Sequence, residues 1–300
     1  MVRRYKLFRD PLLLIALALM VASLAYIVYS FLPHVSSTNP SNILEEYVKA
    51  IQSLNKSSTA LEKRVAGFYT VAPNISDVAI ARDRIRGYLR NLSMMYGFNN
   101  SNFLVNTAKN YLYIAEAATN TTKGYLYINN SIDILRESLE LLSICRVRDA
   151  LTRYNRIEDY VLSSLSSIAK AVSMLNKVNK SCVAENHVPV IEASLERLEK
   201  VYTSIKSADD LMRIAKRYED YIEALCSNQT INDAAALNSI QNELNQITVS
   251  GPLSPEVSNA QNTLIALIQS YLYGQSMNQQ NQSGNYVGGG AGYVPPESSD

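Results

Sequence analysis

Side chains that commonly act as nucleophiles, bases or metal ligands are few in this sequence, and their spacing forms no known site. There are two histidines, His34 and His187, and three cysteines, Cys145, Cys182 and Cys226. No H-x-x-x-H, E-x-x-H or C-x-x-C spacing occurs, so helical zinc and di-iron sites are not indicated. A glycine-rich phosphate loop and a G-x-S-x-G turn are also missing. We therefore predict no catalytic residue, no metal and no cofactor, and two solvated histidines.

Acidic residues occur as sequence neighbours, which would matter if they converged as an acid and a base. On a helix, adjacent side chains point about 100° apart and do not converge. A solvated polar face explains them better than general acid–base catalysis, and the sequence predicts a protein that is not an enzyme. The pairs are Glu45–Glu46, Asp209–Asp210 and Glu219–Asp220.

The cysteines become informative once they are placed on helices. Residues 149–180 and 189–226 carry apolar stripes at helical spacing and are separated by the reversing loop SCVAENHVP. If the two stretches pack antiparallel, Cys145 and Cys226 fall at the same end, and Cys182 lies about 50 Å away by helix rise. Any intrachain disulfide should then join Cys145 to Cys226. Three reduced cysteines are the alternative.

The stretch that positions everything else is Pro11–Leu32, which holds twenty-two residues without a charge. At about 1.5 Å per residue it matches the thickness of a bilayer's hydrocarbon core, and we predict an uncleaved transmembrane signal anchor. A cleaved signal peptide is the competing interpretation, with Ser23-Leu24-Ala25 as its cleavage site, but the apolar run continues past that point.

Charge around this stretch predicts its orientation. Residues 1–10 contain four basic side chains and one acid, so this flank should be cytoplasmic and the rest extracytoplasmic, in a single-pass protein of the cell membrane. Beyond residue 32 there are 24 Lys and Arg against 26 Asp and Glu. A slightly acidic chain lacks the basic footprint of a nucleic-acid-binding protein, and we predict no nucleic-acid partner.

Nine N-x-Ser/Thr sequons follow the predicted span, about twice the number that composition alone would produce. They favour a glycoprotein on the outside of the cell, although chance remains an alternative. The candidate glycosylation sites are Asn55, Asn74, Asn91, Asn99, Asn120, Asn129, Asn179, Asn228 and Asn281.

Glycine and proline are absent between Gly124 and Pro189 and again between Pro189 and Gly251. Long intervals without helix breakers, filled with Leu, Ile, Ala, Lys and Glu, predict an all-α fold. Heptad stripes such as Ile51, Ser58 and Val65 favour shallow, coiled-coil-like packing. The fold class we predict is an N-terminal transmembrane helix followed by an extracytoplasmic, elongated antiparallel helical bundle.

The predicted organisation has five parts: a basic flank (1–10), the span (11–32), a linker (33–41), a helical domain (42–273) and a disordered Gly/Asn/Gln/Ser-rich tail (274–300). A sub-bundle boundary near 97–102 is possible, and 189–226 should be one helix of about 57 Å. Residues 102–180 could form one, two or three helices.

The tetrad YLYI occurs at 111–114 and again at 125–128. An unbroken helix would place both tetrads on one side, whereas Gly124 could break it. Their tyrosines could form a binding face, or half of them could lie in the core.

Two functions are compatible with these features. The first is a membrane-anchored structural or protein-interaction component of the cell envelope, a stalk, tether or assembly partner, with a protein partner or a second copy of the chain. The second is an extracytoplasmic ligand-binding or sensory bundle that works with a separate membrane partner, its small-molecule ligand unknown. About ten predicted cytoplasmic residues leave little for signalling output, which favours the first.

Overall fold

The computed structural model describes residues 40–96 and 102–284, with side chains for 42–96 and 102–274. The chain divides into two units, Met1–Glu45 and Glu46–Asp300. Of the first unit only the helical residues from Pro40 to Glu45 are described. All regular elements in the described ranges are helices, so the all-α prediction is confirmed.

Ten α-helices are described in these ranges. They are α1 (Pro40–Val65), α2 (Ile75–Tyr96), α3 (Phe103–Asn129), α4 (Ile132–Ser143), α5 (Val147–Asn155), α6 (Glu158–Leu175), α7 (Val188–Arg217), α8 (Glu219–Cys226), α9 (Ala234–Asn245) and α10 (Ser254–Gly284). Within the described residues, none of them is both long and apolar enough to cross a membrane. The predicted span, Pro11–Leu32, and the possible boundary near 97–102 lie wholly or almost wholly outside these residues.

α1 buries the stripe that its heptads predict. Ile51, Leu54, Ser58 and Leu61 are all 5 % exposed or less, at spacings of three and four residues that place them on one face. The helix ends at a glycine in the left-handed conformation: Gly67 has φ 93°, a conformation that other residues adopt only with strain.

α3 is one unbroken helix that runs through Gly124. Asn102 caps it, because its side-chain oxygen accepts hydrogen bonds from the backbone N–H groups of Leu104 and Val105. In each YLYI tetrad the first tyrosine and the isoleucine are buried, while the leucine and second tyrosine lie at or near the surface. The tetrads therefore contribute half to the core and half to the surface.

The closest packing between helices involves α3 and α6. A Cβ at Gly124 would lie 3.0 Å from Cγ1 of Ile168 and 3.6 Å from the carbonyl oxygen of Ser164. Ser164 Oγ donates a hydrogen bond to the carbonyl of Gly124 at 3.0 Å. The missing side chain therefore allows the two helices to approach closely, which explains why this glycine stands inside a helix.

α1, α3 and α7 run in the same direction. The rings of Tyr47 and Tyr111, near the starts of α1 and α3, stack at 4.0 Å, and Arg64 near the end of α1 bonds to Asn129 at the end of α3. His187, the residue before α7, bonds to the hydroxyl of Tyr111. We call the level marked by Tyr47, Tyr111 and His187 the tyrosine end.

α2 and α6 run in the opposite direction. Arg84 in the middle of α2 pairs with Glu46 in α1. Asn179, beyond the end of α6, donates its backbone N–H to Oδ1 of Asn110, early in α3. The five long helices α1, α2, α3, α6 and α7 thus form an up-and-down arrangement.

The remaining helices surround the second half of α7. α10 begins beside the middle of α7, where the backbone N–H of Leu253 bonds to Ser204 Oγ. It then runs toward α8, and the hydroxyl of Tyr271 accepts from the backbone N–H of Ile231. Cys145 and Cys226 are joined here in a disulfide. We call this level, marked by Cys145 and Cys226, the disulfide end.

The prediction of one helix over 189–226 is wrong. The helix breaks at Tyr218, whose φ of −114° and ψ of 30° depart from helical values. The hydroxyl of Tyr218 donates to Glu243 of α9 at 2.7 Å, which holds the break in place. α10 continues to Gly284 rather than ending near Tyr273, since Gln, Asn and Ser allow a helix that has already formed to propagate.

Candidate functional site

The disulfide between Cys145 and Cys226 ties the α4–α5 turn to the end of α8. The two Cα atoms lie 5.4 Å apart, within the usual range for a disulfide. The structure thus brings together the two cysteines that the sequence analysis paired. Cys182 is a free thiol in the described chain and lies in the α6–α7 loop. That loop belongs to the tyrosine end, since Ala184 in it bonds to Tyr111.

Local backbone geometry positions both halves of the bridge. Cys145 has φ 63°, and the N–H of Arg146 bonds back to the carbonyl of Leu141, so α4 ends in the hydrogen-bonded turn normally occupied by glycine. Asn228, two residues after Cys226, has φ 53° and ends α8 in the same way. A left-handed residue other than glycine costs about 1–2 kcal/mol, and the surrounding packing offsets that cost.

Charged side chains surround the bridge. Arg148 pairs with Glu223 across α5 and α8 at 2.6 Å, and Arg146 pairs with Asp149. Together with Gln229 they line an open recess of about 390 Å³ beside the disulfide. The recess is polar and has an acid for each of its two arginines, which suits a solvated protein-contact surface better than an enclosed ligand site.

At the tyrosine end His187 is hydrogen-bonded rather than free in solvent. The hydroxyl of Tyr111 accepts from the backbone N–H of Ala184 at 3.2 Å and forms a hydrogen bond with Nδ1 of His187 at 2.8 Å. Burial lowers the pKa of His187, which favours the neutral imidazole, whose Nδ1 can accept from the Tyr111 hydroxyl. The prediction of a solvated histidine is therefore wrong: His187 fixes the α6–α7 loop to α3.

A buried acid lies between α5 and α7. Asp209 is 4 % exposed, accepts a hydrogen bond from the hydroxyl of Tyr154 and pairs with Arg213 at 3.0 Å. Burial raises the pKa of Asp209, and burial together with the Asp209 carboxylate raises the pKa of Tyr154. Asp209 was expected on a solvated face and is not. The missed signal was its register: it lies four residues after Ile205 and three before Met212, within the apolar stripe.

The other acidic pairs are separated as expected, with one further exception. Asp210 bonds to Lys206 at the surface, and Glu219 and Asp220 face outward at the start of α8. Glu46, however, is 4 % exposed and paired with Arg84 at 2.5 Å. None of the three pairs converges on a common point where a reacting atom could sit.

The sequons fall into three groups. Asn55, Asn74, Asn179 and Asn228 are exposed, and the last three of these lie outside the helices. Asn91, Asn120 and Asn129 are half-buried on helices, and Asn129 accepts a hydrogen bond from Arg64. Asn99 lies outside the described residues, and the side chain of Asn281 is also outside them. Because a glycan needs a side chain that projects into solvent, the exposed group offers the better acceptors.

The described residues form a groove between two helices but no metal-binding cluster. Among the described residues no group of three His, Cys, Asp or Glu side chains could hold a metal ion. A groove of about 810 Å³ runs between α6 and α7 and is lined by Val172, Lys177, Glu199, Tyr202 and their neighbours. Its lining mixes apolar, hydroxyl and charged groups, which could accommodate a small amphipathic ligand.

No protein-family model matches the chain, and no significant similarity relates it to a curated protein or to a solved structure.

Proposed function

We propose that this chain is a single-pass membrane protein whose helical unit acts outside the cytoplasm as a structural or protein-interaction component of the cell envelope. Pro11–Leu32 is the proposed span, residues 1–10 its cytoplasmic flank, and the helical unit a stalk, tether or assembly partner. Its partner is another protein or a second copy of the chain. The proposal includes no enzymatic activity and no nucleic acid.

The observation that carries the proposal is the position of the two chain ends in the helical unit. The unit begins at Glu46, next to Tyr47 at the tyrosine end. α10 passes the disulfide end at Tyr271 and continues to Gly284. α7 alone has 30 residues, about 45 Å of helix between these levels. A unit that starts at one level and leaves at the other is suited to hold its disulfide end away from an anchoring membrane.

Two further features support an extracytoplasmic location. The disulfide closes a separation of 81 residues and would persist only in an oxidising compartment. Exposed sequons at Asn74 and Asn228 lie in loops outside the helices, where a glycan could be attached. A body of packed helices with a charged, solvated disulfide end is typical of an interaction module rather than a catalyst.

Cross-linking in native membranes followed by mass spectrometry tests this function. We expect the tagged full chain to resist alkaline extraction and to cross-link reproducibly to one protein, or to itself, through exposed lysines. Recovery of an uncross-linked monomer in intact membranes would argue against an assembly role, and release by alkali would argue against the anchor.

The second candidate, a ligand-binding or sensory bundle, is favoured by the groove between α6 and α7. Its volume of about 810 Å³ is within the range of small-molecule sites. This alternative predicts that a small ligand raises the melting temperature of the protein and that Tyr202→Ala abolishes the shift. If no polar or amphipathic metabolite in a screen shifts the melting temperature, the result favours the structural role.

A further inference from the structure

The end of α2 and the start of α3 present large apolar side chains to solvent. Three of them end α2 and two begin α3, and each is roughly half to three-quarters exposed. We call this set the α2–α3 tip: Met94, Met95, Tyr96, Phe103 and Leu104. Scattered surface hydrophobics need no explanation, but five on two adjacent helix ends form a patch of the kind that marks an interaction site.

The tip projects past the start of the helical unit. Arg84 and Arg86 of α2 pair with Glu46 and Glu116. Tyr96 lies ten residues beyond Arg86, about 15 Å, whereas Glu116 lies only five residues, about 8 Å, from Tyr111, so the end of α2 extends at least about 8 Å beyond the level of Tyr111. On α3, Tyr111 is level with Tyr47, and Phe103 precedes it by eight residues, about 12 Å. The tip therefore extends beyond Glu46 in the direction opposite to the disulfide end.

The charge near the tip has one sign. Between Asp83 and Glu116 the sequence contains four basic residues and no acidic one. Arg84 and Arg86 are paired with Glu46 and Glu116, whereas Arg90 and Lys109 have no ion-pair partner among the described residues. An exposed acid at this end, Glu185, is next to Ala184 and so level with Tyr111 rather than with the tip.

A basic recess lies just behind the apolar residues. Lys109 and Lys177 line an open space of about 450 Å³ together with three asparagines and Tyr113. Lys109 follows Phe103 by six residues, about 9 Å along α3. Apolar side chains in front and cations about 9 Å behind them match the depth difference between the outer acyl region and the phosphates of a lipid leaflet.

We propose that the α2–α3 tip docks on an anionic membrane surface, with its apolar side chains in the interface and Arg90, Lys109 and Lys177 at the headgroups. The inference rests on the proposed anchor, because the thirteen residues between Leu32 and Glu46 keep the unit close to the bilayer. Six of the thirteen are helical, so their reach is at most about 35 Å. A second membrane contact at the tip would fix the orientation of the unit on the membrane, which a single attachment point cannot do.

The chain contains no tryptophan, so a single introduced tryptophan reports the environment of one position. Phe103→Trp tests the tip, and Ile144→Trp at the disulfide end is the matched control, because the two native side chains are 65 % and 64 % exposed. The full-length chain is reconstituted in phosphatidylcholine vesicles with and without phosphatidylglycerol. Acyl chains brominated near the interface quench tryptophan that reaches them.

We expect Phe103→Trp to emit at shorter wavelength and to lose about half its emission or more with brominated lipid, since interfacial side chains lie roughly 5–10 Å deep. Ile144→Trp should show neither effect. Arg90→Glu combined with Lys109→Glu should reduce the quenching, and neutral vesicles should do the same. Met95→Trp provides a second reporter if Phe103→Trp does not fold.

Equal quenching at both positions, or none at Phe103→Trp and Met95→Trp, would overturn the proposal. If the tip is not quenched but cross-links to a protein in native membranes, the proposal is also overturned, and the tip contacts a protein instead. Alkaline extraction of the same vesicles tests the membrane span separately. A chain that is retained but whose tip is not quenched refutes only the docking of the tip on the membrane. A chain released by alkali refutes the anchor, and quenching by vesicles added from outside still reports on the tip.

Discussion

Long helices with small buried side chains meet in the tyrosine half of the unit, whereas in the other half short helices tied by a disulfide pack against α7 and α10. α3 and α6 have 27 and 18 residues and bury Gly124, Ala118 and Ala171 where larger residues would keep helices apart. Many turns in contact provide enough buried surface without any covalent link.

α4, α5 and α8 have only 12, 9 and 8 residues. Helices of this length are marginal by themselves, and each has room for few core positions. A covalent link between the ends of α4 and α8 restricts the unfolded chain instead. The comparison indicates that packing alone stabilises the tyrosine half and that the disulfide half depends on its crosslink.

Removal of the disulfide should therefore have the largest effect. A separation of 81 residues corresponds to about 4.5 kcal/mol in the chain-entropy relation, and we expect Cys226→Ser to lower the free energy of unfolding by about 3–5 kcal/mol. Hydrogen exchange followed by mass spectrometry should show lost protection in α4, α5 and α8, with α3 and α6 retaining theirs.

Cys182→Ser is the matched control, since that thiol forms no disulfide and lies at the other end. It should change stability by less than about 0.5 kcal/mol. Uniform loss of protection over all helices in Cys226→Ser would show that the two halves unfold as one unit, and the comparison would then be wrong.

Overpacking between α3 and α6 should have the next largest effect, in the other half. Gly124→Val forces atoms into Ile168, whose Cγ1 is already 3.0 Å from an ideal Cβ, and should cost about 1–3 kcal/mol. Gly87→Val on α2 is the control, because nothing lies within 4 Å of a Cβ there. Urea unfolding of both variants measures the difference, and equal stability would mean that α3 and α6 can move apart freely.

The buried Asp209 of α7 accepts a hydrogen bond from Tyr154 of α5. Removing that hydroxyl in Tyr154→Phe should lower stability by less than the two changes above. The variant leaves a buried carboxylate with one hydrogen bond fewer, a loss of about 1–2 kcal/mol. Tyr160→Phe, on an exposed side chain, should be neutral. Chemical unfolding at neutral pH compares them, and a neutral Tyr154→Phe would indicate that water replaces the hydroxyl.

The same pair predicts a pH dependence with a definite sign. Because burial raises the pKa of Asp209, the folded state holds this proton more tightly than the unfolded chain. The free energy of unfolding therefore falls as pH rises from the ordinary aspartate range through the raised pKa. The Tyr154 hydrogen bond lowers that pKa, so Tyr154→Phe should steepen the fall and Asp209→Asn should remove it.

Apolar spacing predicted core positions in α1. Ile51, Ser58 and Val65 lie on the predicted heptad stripe and are 5 % exposed or less. The loop SCVAENHVP was predicted to reverse the chain, and it lies between the antiparallel helices α6 and α7. Such signals are local, so a single sequence contains them.

Features that depend on distant partners were not predictable in this way. Tyr218 interrupts a helix without glycine or proline because Glu243, 25 residues away, bonds to its hydroxyl. Asp209 is buried because Tyr154, 55 residues away, satisfies it. The α2–α3 tip was missed for a related reason. In the sequence Met94, Met95 and Phe103 do not differ from apolar residues that are buried on helices, and only the packing shows that they are exposed. Pairing of charges and exposure of apolar residues are tertiary properties.

The smallest predicted effect is the titration of His187, which sharpens the comparison at the tyrosine end. Burial lowers its pKa, so the folded state binds this proton less tightly than the unfolded chain. The stabilisation is complete above the ordinary histidine pKa, about 6.5, and is lost as pH falls through the lowered value.

Protonated Nδ1 can no longer accept from Tyr111, so the α6–α7 loop should loosen before any helix does. Hydrogen exchange at Ala184, measured between about pH 7.5 and 5, should rise beyond its intrinsic pH dependence in the natural chain but not in His187→Gln. The same rise in both chains would assign the effect to another group.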